Sequence, residues 1–261
     1  MDYQDISFEC EGEIAWLTID REDSGNAFRI ETVREMIDAL EQARRDESCR
    51  TIVITGRGQR FFCVGGDHGD HAGDEAVHYG NAFPVADLYD LIDKCPKPVI
   101  AMVNGYAVGG GNVIALMCDL TIASAKAVFR QVGPAMGSFD AGFGTWYLEE
   151  TVGRKKAKEI WMLNRKYSAA EALNMGLINE VVQPETLRVR VVELCEELAK
   201  RGPQALAALK ASFHARHGGV AGLSRVATDL LVHQYYTTEE SKELGRAFSD
   251  KTDPDKTKFY R

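Results

Sequence analysis

The sequence predicts an α/β fold with parallel strands in the first half of the chain and an almost entirely helical second half. Short β-branched strand patterns alternate with helix patterns as far as about Gly144, which is typical of parallel βαβ units. Beyond that residue, apolar residues recur at helical spacing. The 261-residue chain is 45% hydrophobic and 27% charged, so it can bury a full globular core.

Four strands and a helix between the first two are predicted in the first half. The strand patterns are short, β-branched and bounded by turn residues. They cover Ile14–Ile19, Thr51–Thr55, Pro98–Val103 and Leu120–Ala123. Apolar residues recur at helical spacing from Glu31 to Arg45, which indicates an amphipathic helix. Connections between the parallel strands are expected to be right-handed.

Five helices are predicted in the second half, and one long loop in the first. The helices cover Arg154–Leu163, Ser168–Met175, Pro184–Lys200, Gln204–His214 and Val220–Phe248. The segment Asp67–Asn81 is rich in Gly, His and Asp and lacks apolar periodicity, so it is predicted to be a loop. Its His and Asp residues fit no helix face or fixed metal-ligand spacing, and we predict no metal site there.

Charge and cysteine usage exclude several classes of protein. The chain carries 31 Lys and Arg against 39 Asp and Glu, a net charge of −8 that disfavours nucleic-acid binding. No apolar run reaches the ~20 residues of a membrane span, and no signal-peptide pattern is found before Glu13. The six cysteines are scattered without a CxxC pair, as expected of buried free thiols in a reducing cytoplasm. We therefore expect a cytoplasmic protein with no nucleic-acid or membrane partner.

Two glycine-containing turns each follow a strand pattern. The first lies in Phe61–Asp67 (FFCVGGD); the second lies in Asn104–Asn112 (NGYAVGGGN) and leads into an apolar helix, Val113–Met117. Glycines that open a helix leave backbone N–H groups uncovered at its positive end, where an anion or a developing oxyanion can bind. The spacing fits neither GxGxxG nor a Walker motif. Either turn alone could simply pack a helix on a sheet, but two of them favour a pair of donors.

The FCVGGD motif, residues 96–112 and the CDLTIAS stretch that follows resemble the crotonase (enoyl-CoA hydratase/isomerase) superfamily, and the resemblance covers nearly the whole chain. It implies a crotonase-type spiral of ββα units with the CoA and oxyanion-hole site in residues 1–195, and a C-terminal helical oligomerisation region in residues 196–261. It also implies an acyl-CoA thioester substrate, no prosthetic cofactor, and a homotrimer or hexamer. By position, the backbone N–H groups of Gly66 and Gly110 match the oxyanion hole that holds the thioester carbonyl as it becomes an enolate.

The sequence departs from the hydratases of this family at both of their catalytic glutamates. The first position is Val113 and the second is Gly133, and neither can transfer a proton, so enoyl-CoA hydratase or isomerase activity is not expected. The segment MGSFDAGFG instead resembles the 2-ketocyclohexanecarboxyl-CoA hydrolases and the 1,4-dihydroxy-2-naphthoyl-CoA synthases. In that branch the residues matching Ser138 and Asp140 are polar and acid–base groups of the site. The residue matching Tyr236 enters the site from the C-terminal region.

The same branch supplies a base pocket and a set of substrate contacts. Gln131, Gly133 and Trp161 match the pocket that holds bicarbonate as a base in some of the synthases. Arg29 matches a position near the CoA phosphates. The other substrate-binding positions follow the first glycine turn or lie in it: Val64, Asp67, His68 and His71.

The residues taken by themselves leave simpler interpretations open for several of these positions. Asp140 lies among glycines and could cap a helix or a turn. Trp161 on an apolar helix face and Tyr236 could both be core residues. Arg29 could be a solvated arginine that precedes a helix.

Three functions are compatible with the sequence. The first is hydrolytic ring opening of a cyclic β-keto acyl-CoA, a reverse Dieckmann reaction. It is favoured because the loop after Asp67 lacks the arginine and tyrosine of the naphthoyl-CoA synthases and because the chain is shorter. The second is the ring closure that forms dihydroxynaphthoyl-CoA. The third is a non-catalytic acyl-CoA-binding subunit, which would have no need for an oxyanion hole.

Overall fold

The computed structural model describes residues 3–67, 84–137, 142–226 and 233–259. Contacts between residues divide the chain into two compact units, Met1–Pro203 and Gln204–Arg261. We describe each unit by itself.

A six-stranded sheet forms the centre of the first unit. In spatial order its strands are β1 (Ile6–Glu11), β2 (Ile14–Ile19), β3 (Thr51–Gly56), β5 (Val99–Val103), β7 (Leu120–Ser124) and β10 (Glu180–Val182). The pairs from β2 to β10 are parallel, which confirms the predicted arrangement, whereas β1 and β2 form an antiparallel hairpin. The sequence analysis did not predict β1, although Ile6, Phe8 and Cys10 alternate with polar residues.

A second sheet contains four very short strands. They are β4 (Phe61–Cys63), β6 (Tyr106–Val108), β8 (Val128–Arg130) and β9 (Tyr167–Ser168), in that spatial order. Consecutive strands alternate between the sheets: β3, β5 and β7 lie in the large sheet, and β4, β6 and β8 follow them in the small one. A helix comes after β4 and another after β6, so the chain winds through successive ββα turns, as the predicted spiral requires.

Seven α-helices accompany the sheets in the described part of the first unit. They are α1 (Ile30–Arg45), α2 (Val85–Lys94), α3 (Gly110–Met117), α4 (Leu148–Val152), α5 (Arg154–Leu163), α6 (Ala169–Asn174) and α7 (Leu187–Ala199). The predicted helix bounds are confirmed within a few residues for α1, α5, α6 and α7. Ser168 begins α6 through a capping box, because its hydroxyl accepts from the Glu171 N–H while the Glu171 carboxylate accepts from the Ser168 N–H.

The central strands of the large sheet, β2, β3, β5 and β7, are buried on both faces. Successive side chains of a strand point to opposite faces, so β2 divides its residues between two apolar clusters. Leu17 and Ile19 join the larger cluster, whereas Ile14 and Trp16 join a smaller one that includes Val191 of α7. Packing on both faces therefore fixes the positions of these strands and of the turns that follow them.

The second unit is helical in its described residues, with α8 (Pro203–Val226), α9 (His233–Thr237) and α10 (Glu239–Asp250). The predicted break between His214 and Val220 is wrong, because α8 continues through Gly218, and a glycine inside a helix costs only about 1 kcal/mol. A single helix over Val220–Phe248 is also wrong, because the Thr238 hydroxyl accepts from the Ser241 N–H and starts a new helix. No helix among the described residues is both long and apolar enough to cross a bilayer.

Candidate active site

The first glycine turn is fixed by a backbone bridge to Phe28. The Phe28 N–H donates to the Gly65 carbonyl at 2.9 Å, and the Asp67 N–H donates to the Phe28 carbonyl at 2.8 Å. In a parallel bridge of this kind, the residue between the two bonded groups turns its own N–H and C=O away from its partner. The Gly66 N–H therefore points away from Phe28, to the other side of the turn.

The second glycine turn leads directly into α3. Gly109 has φ = +55° and ψ = −126°, a conformation that favours glycine, and its N–H donates to the Arg130 carbonyl at 2.9 Å. Gly110 is the first residue of α3, so its N–H has no acceptor within the helix. A β-carbon at Gly110 would lie 2.5 Å from the Phe28 ring and 3.1 Å from the Tyr89 hydroxyl. Only glycine fits at this position.

The two turns are in contact with each other. A β-carbon at Gly65 would lie 3.0 Å from the amide nitrogen of Gly110 and 3.2 Å from the Val108 carbonyl oxygen. A β-carbon at Gly111 would overlap the Cys63 carbonyl, so α3 packs directly on the end of β4. The Gly66 and Gly110 amides, 44 positions apart in the sequence, thus lie on adjacent turns at the positive end of a helix. Such an arrangement can stabilise an oxyanion.

Ion pairs hold the chain on either side of the first turn. Arg21 donates to Asp67 at 3.0 Å and lies 3.6 Å from Asp5, and Arg29 donates to both oxygens of Asp5 at 2.7 and 2.8 Å. Burial alone would raise the pKa of Asp5, but hydrogen bonds from Arg29 and Thr32 outweigh it and leave the pKa below its ordinary value. Two predicted substrate contacts, Asp67 and Arg29, therefore take part in an ion-pair network. Sequence reasoning missed Arg21, which has no motif of its own.

The predicted base pocket contains an unusual glutamine. Gln131 directly follows β8 and is fully buried, and neither its amide nitrogen nor its amide oxygen has a hydrogen-bond partner among the described residues. The carbonyl of the preceding residue, Arg130, accepts a hydrogen bond from the Gly109 N–H, so Gln131 lies next to the second glycine turn. Gly133 begins a short 3₁₀ helix, Gly133–Met136, which contacts α5, the helix that carries Trp161.

Trp161 is half-buried, packs against the apolar core, and has a partner within the protein. Its indole N–H donates to the Gly144 carbonyl at 2.9 Å. Bicarbonate is a planar anion, and its oxygen atoms accept hydrogen bonds from N–H or O–H donors. The Gln131 amide, unpaired as far as the described residues go, and the absence of a side chain at Gly133 fit such an ion. The Trp161 indole would have to exchange its present acceptor for it.

The remaining predicted site residues fall into two groups. Val64 is half-buried beside Gly25, where a β-carbon would lie 3.1 Å from a Val64 methyl group, and Tyr236 is 67% exposed on α9 of the second unit. The others lie outside the described residues: Ser138, Asp140, His68 and His71.

One aromatic residue of the site was missed by the sequence analysis. Tyr89 of α2 is buried, with its hydroxyl 3.4 Å from the Gly110 carbonyl and its ring 5.7 Å from that of Phe143. It packs against the start of α3. A signal was present, because Val85, Leu88 and Ile92 recur at helical spacing in this segment.

Comparison with known proteins gives a consistent result over the whole chain. Residues 9–258 match the family model described as enoyl-CoA hydratase/isomerase. A solved structure of an enoyl-CoA hydratase subunit I from Geobacillus kaustophilus HTA426 is 32% identical, covers 98% of each chain and has a TM-score of 0.79. An enoyl-CoA hydratase from Bacillus anthracis is 28% identical over 97% of this chain and 98% of that chain, with a TM-score of 0.77. DspI from Pseudomonas aeruginosa is 27% identical over 98% of this chain and 97% of that chain, with a TM-score of 0.79.

Proposed function

Since the chain belongs to the enoyl-CoA hydratase/isomerase family, whose members act on acyl-CoA thioesters, we propose that it opens the ring of a cyclic β-keto acyl-CoA by hydrolysis. In this reaction water adds to the ring ketone, and the C–C bond next to the thioester breaks. The product is an open-chain acyl-CoA that carries a new carboxylate.

The observation that carries the proposal is the lack of an acid–base side chain at two positions beside the amide pair. Hydration of an enoyl-CoA requires glutamates at the positions of Val113 and Gly133. Val113 is instead fully buried in the apolar core, and Gly133 has no side chain. The amide pair remains, so the site keeps a means of stabilising an enolate without the groups that add water across a C=C bond.

The two amides support the enolate half of the reaction. Breaking a C–C bond next to a thioester moves an electron pair towards the thioester oxygen, which becomes negatively charged. Donors from Gly66 and Gly110 would meet that charge without reorganisation, because packing already fixes both turns. Loss of one such donor costs about 2.7–4 kcal/mol in comparable enzymes.

The other half of the reaction needs a base, an acid and a donor for the ketone oxygen. We assign the base role to Asp140, which takes a proton from the attacking water. Tyr236 or Ser138 donates to the ketone oxyanion as the new C–O bond forms. The ring C–C bond then breaks, and the α-carbon takes up a proton. Gln131, Gly133 and Trp161 would hold bicarbonate, which supplies a further base when bound.

Ring closure to dihydroxynaphthoyl-CoA is the second candidate, and one observation favours it. The fully buried amide of Gln131, which has no partner in the described part of the chain, fits the bicarbonate pocket found in some synthases of that type. Ring closure uses the same enolate but expels water instead of consuming it. The direction of the reaction therefore distinguishes the two candidates.

Mass spectrometry of the thioester gives the deciding test. We expect 2-ketocyclohexanecarboxyl-CoA to gain the mass of one water as its ring opens, and crotonyl-CoA to remain unchanged. Loss of water from succinylbenzoyl-CoA, with or without bicarbonate, would instead establish ring closure. Hydration of crotonyl-CoA, or binding of all three esters without turnover, would overturn the proposal.

The Asp140→Asn variant tests the assigned base in the same assay. General acid–base groups contribute about 10²–10⁴-fold, and we expect a loss of kcat in that range with little change in KM. Asn keeps the size and polarity of the side chain but cannot take up the proton. Full turnover by Asp140→Asn would show that the base lies elsewhere.

A further inference from the structure

Two thiols and a carboxylate meet on the first unit, and none of them belongs to the proposed active site. Cys10 lies on the edge strand β1, Asp46 ends α1, and Cys49 precedes β3. The two sulfur atoms are 3.2 Å apart. The Asp46 Oδ2 atom lies 3.6 Å from the Cys49 sulfur and 4.0 Å from the Cys10 sulfur. These three atoms form a compact triangle of potential metal ligands.

We propose that Cys10, Asp46 and Cys49 bind a thiophilic divalent metal ion, with Zn²⁺ as the physiological candidate. A point equidistant from the three donor atoms lies about 2.1 Å from each, which is close to the Zn–O and Zn–S bond lengths of about 2.0–2.3 Å. Thiolates favour Zn²⁺ over Mg²⁺ or Ca²⁺. Because Cys10 is exposed, water or an external ligand can complete a tetrahedron.

The carboxylate is oriented for this role by its neighbours. Asp46 Oδ1 accepts from the Ser48 N–H at 2.9 Å and from the Ser48 hydroxyl at 2.6 Å, which leaves Oδ2 facing the two sulfurs. Hydrogen bonds of this kind to the second oxygen of a ligand fix its orientation in metal sites. Cys49 is buried and Cys10 exposed, so the site is shielded on one side and open on the other.

Metal binding accounts for all three groups, whereas a disulfide would involve only the two sulfur atoms. In the metal site Zn²⁺ forms two Zn–S bonds and one Zn–O bond to Asp46, and the two thiol protons are released to water.

Titration of the reduced, chelator-treated full-length protein with Co²⁺, followed by displacement with Zn²⁺, tests the proposal. We expect one Co²⁺ per chain, a sulfur-to-cobalt charge-transfer band, and a rise in Tm on addition of Zn²⁺. Cys10→Ser, whose side chain is exposed and should not disturb folding, is expected to weaken Co²⁺ binding at least tenfold and reduce the band. Asp46→Asn should also weaken binding at least tenfold while keeping the sulfur band.

Two controls separate this site from other sources of metal binding. Cys195→Ala removes a buried thiol outside the cluster and should leave Co²⁺ affinity unchanged. His71→Ala removes an imidazole from the His- and Asp-rich segment after the first glycine turn and should do the same. The proposal is overturned if Cys10→Ser binds Co²⁺ with wild-type affinity, if binding is lost in His71→Ala, or if the reduced wild type binds no Co²⁺, whether or not diamide joins Cys10 and Cys49 in a disulfide.

Discussion

The amide side of the proposed site, formed by Gly66 and Gly110, and its base side, formed by Gln131, Gly133 and Trp161, differ in how the protein holds them in place. On the amide side, Gly110 and Gly111 leave no room for a side chain, and the backbone around Phe28 is hydrogen-bonded. On the base side, Gln131 is buried with both polar atoms unpaired among the described residues. Packing and backbone hydrogen bonds fix the shape of the amide side before any ligand binds. The base side contains a buried polar group that no described residue satisfies, and such burial is unfavourable without a partner.

Because packing fixes the amide side, a substitution there should act by displacing the backbone. Gly110→Ala tests this and has the largest expected effect. The new methyl group would meet the Phe28 ring at 2.5 Å, so the start of α3 must move. We expect kcat on the substrate identified above to fall about 10²–10³-fold, the loss associated with one oxyanion donor. The measurement is steady-state kinetics together with thermal unfolding.

Gly245→Ala is the matched control for this substitution. Gly245 lies inside α10, and a β-carbon there meets nothing within 4 Å. Alanine should raise stability by about 0.5–1 kcal/mol and leave kcat unchanged. If Gly110→Ala kept wild-type turnover, the second amide would not form the oxyanion hole.

The contrast between the two sides also explains how far the sequence could predict the molecule. The glycine turns were visible because packing requires glycine at fixed places after strands. The buried strands β3, β5 and β7 were visible as short β-branched runs bounded by turn residues, and the helix α5 was visible from its helical spacing. Strands such as β4 and β6 have three residues each, and their existence depends on neighbours that are distant in the sequence.

Other features could not be read from the sequence because they arise from long-range pairing. Arg21 and Asp67 are 46 positions apart, and Cys10 and Cys49 are 39 apart, so no local motif contains either pair. The sequence also cannot show that Gln131 lacks a partner among the described residues, since a glutamine reads the same whether or not its amide is hydrogen-bonded. The second glycine turn shows the opposite case, because its three glycines are adjacent.

On the base side, Gln131→Met should separate stability from activity. Methionine has a similar length and no group that needs a hydrogen bond, so we expect the free energy of unfolding to rise by about 1–3 kcal/mol. A hydrogen bond to a charged ligand is worth about 1.5–3 kcal/mol, so kcat/KM should fall about ten- to a hundredfold. Any stimulation by bicarbonate should disappear. Chemical denaturation and kinetics with and without bicarbonate measure these effects.

Thr121→Val provides the comparison for a buried polar group that has a partner. The Thr121 hydroxyl donates to the Ala115 carbonyl at 2.9 Å, and its loss should lower the free energy of unfolding by about 1 kcal/mol. Gln131→Met and Thr121→Val should therefore change stability in opposite directions. Equal destabilisation by both would mean that the Gln131 amide is satisfied in solution, and the contrast between the two sides would be lost.

The smallest expected effect concerns the ion pairs beside the first glycine turn. Asp5 is buried, and its pKa lies below the ordinary value of 3.8, because hydrogen bonds from Arg29 and Thr32 outweigh the effect of burial. Its ionised form therefore stabilises the fold above about pH 4, and this contribution is lost as the pH falls through the lowered pKa. We expect Asp5→Asn to lower Tm by about 2–4 °C at pH 7 and the difference from wild type to close in acid.

Asp20→Asn is the control for this substitution. It removes an exposed ion pair with Arg57 and should leave Tm almost unchanged, because solvent screens that pair. A Tm difference for Asp5→Asn that stayed constant down to pH 3 would show that the carboxylate charge does not anchor this turn, and that packing alone holds the amide side in place.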